Sequence, residues 1–255
     1  MARYRAPQFD EHLTLVEHLD ELRTRLIVSI AALVVASGLC FWQNDLLLEI
    51  ANKPLPGDLV PITFGVTEPF MTTVTLSVYA GILLAMPVIL YQLYAYVLPA
   101  FSLQERRVVL PFLLAVPFLF IAGVVFAYFV VIPAATQFLL NFNASEFNIE
   151  VRAREYYSFF ALTCISIGVL FQIPIGILAI TRLGIITPEQ LGRNRKYAIL
   201  VIAIVAMLLP GTDPVTMLIS MLPLVVLFEV SLLLARAFGR PPEETPAGEA
   251  AEEAG

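Results

Sequence analysis

The sequence predicts an all-α polytopic membrane protein with six transmembrane helices, and three observations carry that reading. Hydrophobic residues make up 59% of the 255, charged residues 14%, and the mean hydropathy is +0.84, whereas soluble domains carry about 25% charged residues. The charges are clustered, which leaves uncharged runs long enough to cross a hydrocarbon core of roughly 30 Å as helices. Prolines fall at the ends of these runs or inside them, where they stop or bend helices.

The first element is amphipathic. Leu15, Leu19, Leu22 and Leu26 recur at helical spacing, while Glu17, Asp20, Glu21 and Arg25 take the other side, the pattern of a helix lying on a membrane surface. It runs without a break into the first span, about 26–44. Carboxylates at the mouth of a span are unusual, because anionic lipid surfaces favour Lys and Arg there, and they suggest a cationic partner. The other reading is local pairing of Glu21 with Arg25 and of Asp20 with Arg23, each worth only about 0.3 to 0.5 kcal/mol. These residues alone leave both open.

After Asp45 the chain is expected to form a loop with a short apolar piece at 46–50. Pro54, Pro56, Pro61 and Pro69 then resist regular structure and suggest a stiff extramembrane cap. The second span is expected at about 72–97 with a kink at Pro87. The third is expected at about 108–132, bent by Pro111 and Pro117 and ended by Pro133. A polar connection follows at 134–155, then a fourth span at about 156–180. The fifth, about 197–212, has sixteen uncharged residues and reaches about 24 Å as a helix, less than a usual bilayer core. Gly211, Thr212, Asp213 and Pro214 make a turn, with Asp213 capping a sixth helix of about 214–235 and Pro214 at its first position. That helix is expected to be short as well. Residues 1–238 form a single membrane domain, and 239–255 read as a disordered acidic cytoplasmic tail.

Twelve Lys and Arg fall on one side of this arrangement and three, Lys53, Arg152 and Arg154, on the other, so both termini are expected in the cytoplasm. The net charge of −6 argues against nucleic acid, and five of the acids lie in the last thirteen residues. The first 25 residues lack the apolar core and cleavage pattern of an export signal, so the first span is expected to direct insertion. No repeat of 20 to 50 residues is visible.

Few motifs carry chemistry. There is no phosphate-binding GxxxxGK[ST] loop, no HExxH and no GxSxG, and His12 and His18 are six apart rather than at the spacing of a helical metal pair. Cys40 and Cys164 sit inside apolar runs and read as small core side chains. No cofactor or metal is therefore expected, and an intramembrane enzyme is disfavoured. Ser102 and Glu105 form an S-x-x-E capping box at the start of the third span. A carboxylate so placed stays ionised beside the helix dipole, and remains an acceptor. Gln172 lies near the middle of the fourth span, where an amide must face protein or water. It either bonds the carbonyl freed by Pro174 or lines a polar groove. A proton-coupled small-solute transporter, the rival reading, needs an ionisable residue near the bilayer centre, and the fourth span offers only Gln172.

Several motifs in order resemble the TatC family, the integral-membrane receptor subunits of the twin-arginine protein translocase. They are His18-Leu19-Asp20-Glu21-Leu22-Arg23-Thr24-Arg25-Leu26, Pro87-Val88-Ile89-Leu90-Tyr91-Gln92, Glu105-Arg106-Arg107, Phe126-Ala127-Tyr128-Phe129, Arg195-Lys196-Tyr197 and the Asp213 turn. The resemblance covers roughly residues 9 to 238. It implies a concave, glove-like protein of the cytoplasmic (inner) membrane, in which Glu21 and Glu105 bind the paired arginines of an export signal peptide. Arg23, Pro54, Tyr96 and Asp213 fall at positions that the family uses. Gln172 stands where the family usually carries a glutamate, and Thr216 is the main polar candidate in the sixth span for contact with single-span partners. Those partners are implied to be TatA-like and TatB-like subunits in a multimeric complex among membrane lipids, with export of folded cargo driven by the proton-motive force.

Overall fold

The computed structural model describes residues 15–57, 59–98, 103–146, 149–210 and 213–238, with the backbone alone at 15–17, 103–109 and 112–113. The expected tail, Ser102 and the Gly211-Thr212 part of the last turn lie outside the described residues. The helices are α1 (Leu15–Trp42), α2 (Asn44–Asn52), α3 (Glu68–Val97), α4 (Leu103–Phe126), α5 (Ile132–Asn141), α6 (Ala153–Leu170), α7 (Ile173–Arg182), α8 (Pro188–Arg193), α9 (Arg195–Met207) and α10 (Pro214–Phe238). A π-helical turn, Ala127–Val131, joins α4 to α5. Among the described residues, five stretches are long and apolar enough to cross a membrane: His18–Trp42, Glu68–Val97, Leu114–Asn141, Ala153–Arg182 and Pro214–Phe238.

The interfacial helix and the first span are one uninterrupted helix, as the periodicity suggests. Other boundaries move, each for a local reason. The apolar piece after Asp45 is not loop but α2, which presents one side to the core and buries Ala51. Pro69 belongs to the first turn of α3 rather than to the cap, a position where its missing N–H costs nothing. Pro133 does not end the third span. The π turn before it shifts the ladder to an i→i+5 register, with the Ile132 N–H donating to the Ala127 carbonyl, and a widened turn relieves the clash that proline makes in a regular helix. Helix therefore continues to Asn141, through the first third of what reads as a loop. The fourth span breaks at Phe171-Gln172, ahead of Pro174 in the first turn of α7.

α8 was not foreseen, although Thr187 and Gln190 form a reciprocal capping box there. α9 stops at Met207, five residues before the expected end, because Leu209 precedes Pro210 and is steered out of the helical region. The sixth helix runs three residues past its expected end. At 25 residues it is not short as a helix, and Arg236 complements its terminal carbonyls. Only its charge-free part, 214–228, is short.

α3, α4 and α6 form the centre. Leu76 from α3, Ala127 and Val131 from the π turn, and Tyr156, Phe160, Cys164 and Ile167 from α6 share one buried cluster. A β-carbon on Gly123 would lie 2.9 Å from Gly168 Cα, and one on Gly168 would lie 2.6 Å from the Phe120 ring. Small residues thus let α4 and α6 close together, the usual means of helix association in lipid, where hydrophobic driving force is absent. α9 and α10 pack through Ile202, Leu224 and Phe228. α1 lies against α3 and buries only Ala36 among its described side chains.

Beyond the end of α1 where Trp42 lies, the cap is held by polar contacts. The Tyr156 hydroxyl donates to the Ala51 carbonyl at 2.6 Å, Tyr157 to Asn52 Oδ1 at 2.9 Å and Tyr128 to the Ile50 carbonyl at 3.0 Å. Ile62 and Arg152 form an isolated parallel bridge between two loops, and Arg152 Nε bonds Glu68 Oε1 at 2.8 Å.

Candidate functional site

α1 and α3 run antiparallel and touch near both ends. Phe41 meets the Phe70 ring edge-on, with centroids 6.5 Å apart, near the cap. At the opposite end His18 stacks on Tyr96, with centroids 4.3 Å apart and planes 14° from parallel. That stack fixes the side of α1 on which Glu21 is displayed, one helical turn along from His18.

Glu21 is not free. Arg25, one turn further, donates to Glu21 Oε1 from Nε at 3.0 Å and from Nη2 at 2.5 Å, and its Nη1 donates to Gln92 Oε1 at 3.1 Å. Both Glu21 and Arg25 side chains are about a quarter exposed. Glu21 Oε2 has His18 Nδ1 at 4.0 Å, beyond hydrogen-bond reach. The local pairing anticipated for Glu21 therefore forms, and uses one oxygen only. Asp20 and Arg23 make no ion pair with each other; both are exposed.

Glu105 lies in the first turn of α4, but its side chain is outside the described residues, as is Ser102, so the capping box is too. Five residues, 98–102, link α3 to α4, and that chain reaches at most about 22 Å. The start of α4 thus lies at the same end of the molecule as Tyr96.

The remaining expected site residues are elsewhere. The Pro54 carbonyl accepts from Thr136 Oγ1 at 3.4 Å within the cap. Asp213 caps α10 as anticipated, with Oδ1 accepting from the Thr216 backbone N–H at 2.8 Å and Oδ2 from the Thr216 hydroxyl. Both residues are buried, so Thr216 is turned to Asp213. Gln172 matches neither reading made for it. It is 7% exposed, and its Nε2 donates to the Val116 carbonyl of α4 at 3.2 Å. Its Oε1 has no partner.

His18, Arg25 and Gln92 were not expected at the site in their own right. The signal was present: His18 and Arg25 flank Glu21 at helical spacing, and Gln92 precedes Tyr96 by one turn. What the sequence lacked was the pairing of α1 with α3 that faces these turns toward each other.

A family model described as Sec-independent protein translocase protein (TatC) matches residues 17–223. The Sec-independent protein translocase protein TatC of Carboxydothermus hydrogenoformans is 37% identical over 236 residues, 92% of this chain and 97% of its own length. That of Aquifex aeolicus is 36% identical, over 91% of this chain and 98% of its own. The crystal structure of a twin-arginine translocase receptor, TatC, in DDM matches with a TM-score of 0.76 at 35% identity, covering 88% of this chain and all of the other.

Proposed function

Since the chain belongs to the TatC family of Sec-independent protein translocase proteins, we propose that it is the receptor subunit that binds twin-arginine signal peptides and nucleates their translocase. It is a multi-pass membrane protein and a translocase component. In this proposal α9 is the fifth of six spans, both termini are cytoplasmic and the membrane is the inner one. The protein is not an enzyme. It recruits TatA-like and TatB-like single-span subunits, with Pro54 in the cap as a candidate contact and the buried Asp213–Thr216 cap shaping the head of α10, and folded cargo moves on the proton-motive force.

The observation that carries the proposal is the Glu21 carboxylate displayed one turn from the His18–Tyr96 stack at the end of the α1–α3 pair, where α4 also begins. An arginine fork bonds a carboxylate at two points whereas lysine is a point charge, so carboxylates here select paired arginines over paired lysines. Glu21 and Glu105 are the two acceptors, with Arg23 and Tyr96 completing the surface.

Photo-crosslinking of a twin-arginine peptide to the full chain in membranes tests this. Each charge-assisted hydrogen bond lost costs about 1.5 to 3 kcal/mol, so Glu21→Ala or Glu105→Ala is expected to weaken crosslinking about tenfold or more. Insertion should be unaffected. Glu105→Gln still caps α4, and native crosslinking by that variant assigns Glu105 to structure instead.

A further inference from the structure

We propose that Arg25 is a resident occupant of Glu21, a built-in guanidinium that the first arginine of a signal peptide must displace. The proposal rests on the assignment of Glu21 as a peptide-binding carboxylate.

Three features of the pair support it. Arg25 loads a single carboxylate oxygen with two N–H groups, from Nε and Nη2. Among the described residues Oε2 has no donor in hydrogen-bond range, His18 Nδ1 being 4.0 Å away. An incoming guanidinium thus has a free oxygen on which to start, and completes a two-point contact only by taking Oε1 from Arg25. The pair is about a quarter exposed, so a ligand can reach it.

Gln92 supplies the second feature. It comes from α3, 67 residues along the chain, and its Oε1 accepts from Arg25 Nη1 at 3.1 Å. This third contact holds the guanidinium in register over Glu21, where helix surface pairing alone leaves a long side chain loosely placed. The third is tethering. A competitor on the same helix rebinds without diffusing, so it lowers the apparent affinity of a ligand for that oxygen by its own occupancy. Any cation that takes Oε1 meets the same competitor, and an arginine fork then regains the two-point contact that it breaks. Once displaced, Arg25 extends on its aliphatic stem to the lipid phosphates at the mouth of α1.

The test is equilibrium binding of a fluorescent peptide carrying an Arg-Arg pair, and of its Lys-Lys counterpart, to the purified full-length chain. Arg25→Gln is expected to tighten the Arg-Arg peptide roughly three- to fivefold, the occupancy factor of a partly exposed ion pair. The Lys-Lys peptide should gain by no more than the same factor, since a resident competitor lowers the affinity of any ligand for that oxygen by its own occupancy. Gln92→Leu, which only loosens Arg25, should act in the same direction and less strongly, and it decides the matter if Arg25→Gln fails to fold. Unchanged or weaker Arg-Arg binding in both variants overturns the exchange and makes Arg25 a positioning residue for Glu21. Glu21→Gln separates the two levels. If it leaves peptide binding intact, the receptor assignment of Glu21 fails; if it weakens binding while Arg25→Gln does not tighten it, only the exchange fails.

Discussion

Gln172 joins the two central helices with half of an amide. Its Nε2 reaches the Val116 carbonyl, and its Oε1 is buried without a donor. Leucine there gives up one modest bond and also removes an orphaned acceptor, two effects of similar size and opposite sign, each about 1 kcal/mol. Gln172→Leu is therefore expected to leave the melting temperature in detergent nearly unchanged. Gln172→Glu places a carboxyl where the only neighbouring polar atom recorded is a carbonyl, so it must bury a charge or hold a proton, and it should melt at clearly lower temperature. Equal melting of Gln172→Glu and the native chain would show that water or a donor reaches the site. Legibility at this scale depends on sequence distance. The Asp213 cap could be read because its partner Thr216 is three residues away, whereas the partner of Gln172 is 56 residues away across a helix crossing.

The α1–α3 pair shows how an element far from the site determines its geometry. A β-carbon on Gly81 would lie 2.2 Å from Ser37 Oγ and, more tellingly, 2.6 Å from Ser37 Cα and 2.7 Å from its nitrogen. Backbone cannot rotate aside, so Gly81→Ala should push α1 off α3 at a cost of about 1 to 3 kcal/mol. Ser37→Gly should not rescue it, because the obstructing atoms belong to the main chain. Gly38 has nothing within 4 Å of its would-be β-carbon, and Gly38→Ala should be neutral or slightly stabilising by helix propensity. Thermal unfolding of the three variants checks this ordering; a neutral Gly81→Ala would mean that α1 slides freely on α3. Helix existence was legible from apolar runs, and α1 was legible as one continuous helix. The Gly81 crossing was not, since a glycine in an apolar run does not announce which neighbour needs its space. Nor was the π turn, because proline in sequence signals a stop, and only the register shift ahead of Pro133 lets the helix pass.

At the scale of the molecule the apolar belt is uneven. α9 has thirteen residues, about 20 Å of helix. α10 has 25 residues, yet only 214–228 precede Glu229, which amounts to about 22 Å. Glu229 pairs with Arg195 at the start of α9 at 3.2 Å, and both side chains are well exposed. The ion pair therefore marks the polar boundary for both helices at the same depth, and Asp213 marks the other. α3 has no Asp, Glu, Lys or Arg from Pro69 to Val97, enough for a full hydrocarbon core. One molecule thus offers the bilayer a thick side and a thin side, and lipid adapts at a cost of fractions of a kcal/mol per Å of mismatch. Thinning around α9 and α10 follows, with the last turns of α10 standing in the headgroup region. Spin labels at Lys196 and at Leu208, on the full chain in vesicles, are expected to report interfacial depth at both positions, although the helix between them is about 20 Å long. A label at Arg236 should report the headgroup region. If Leu208 instead reports the bilayer centre, α9 enters and leaves on one face, and the six-span arrangement fails with it.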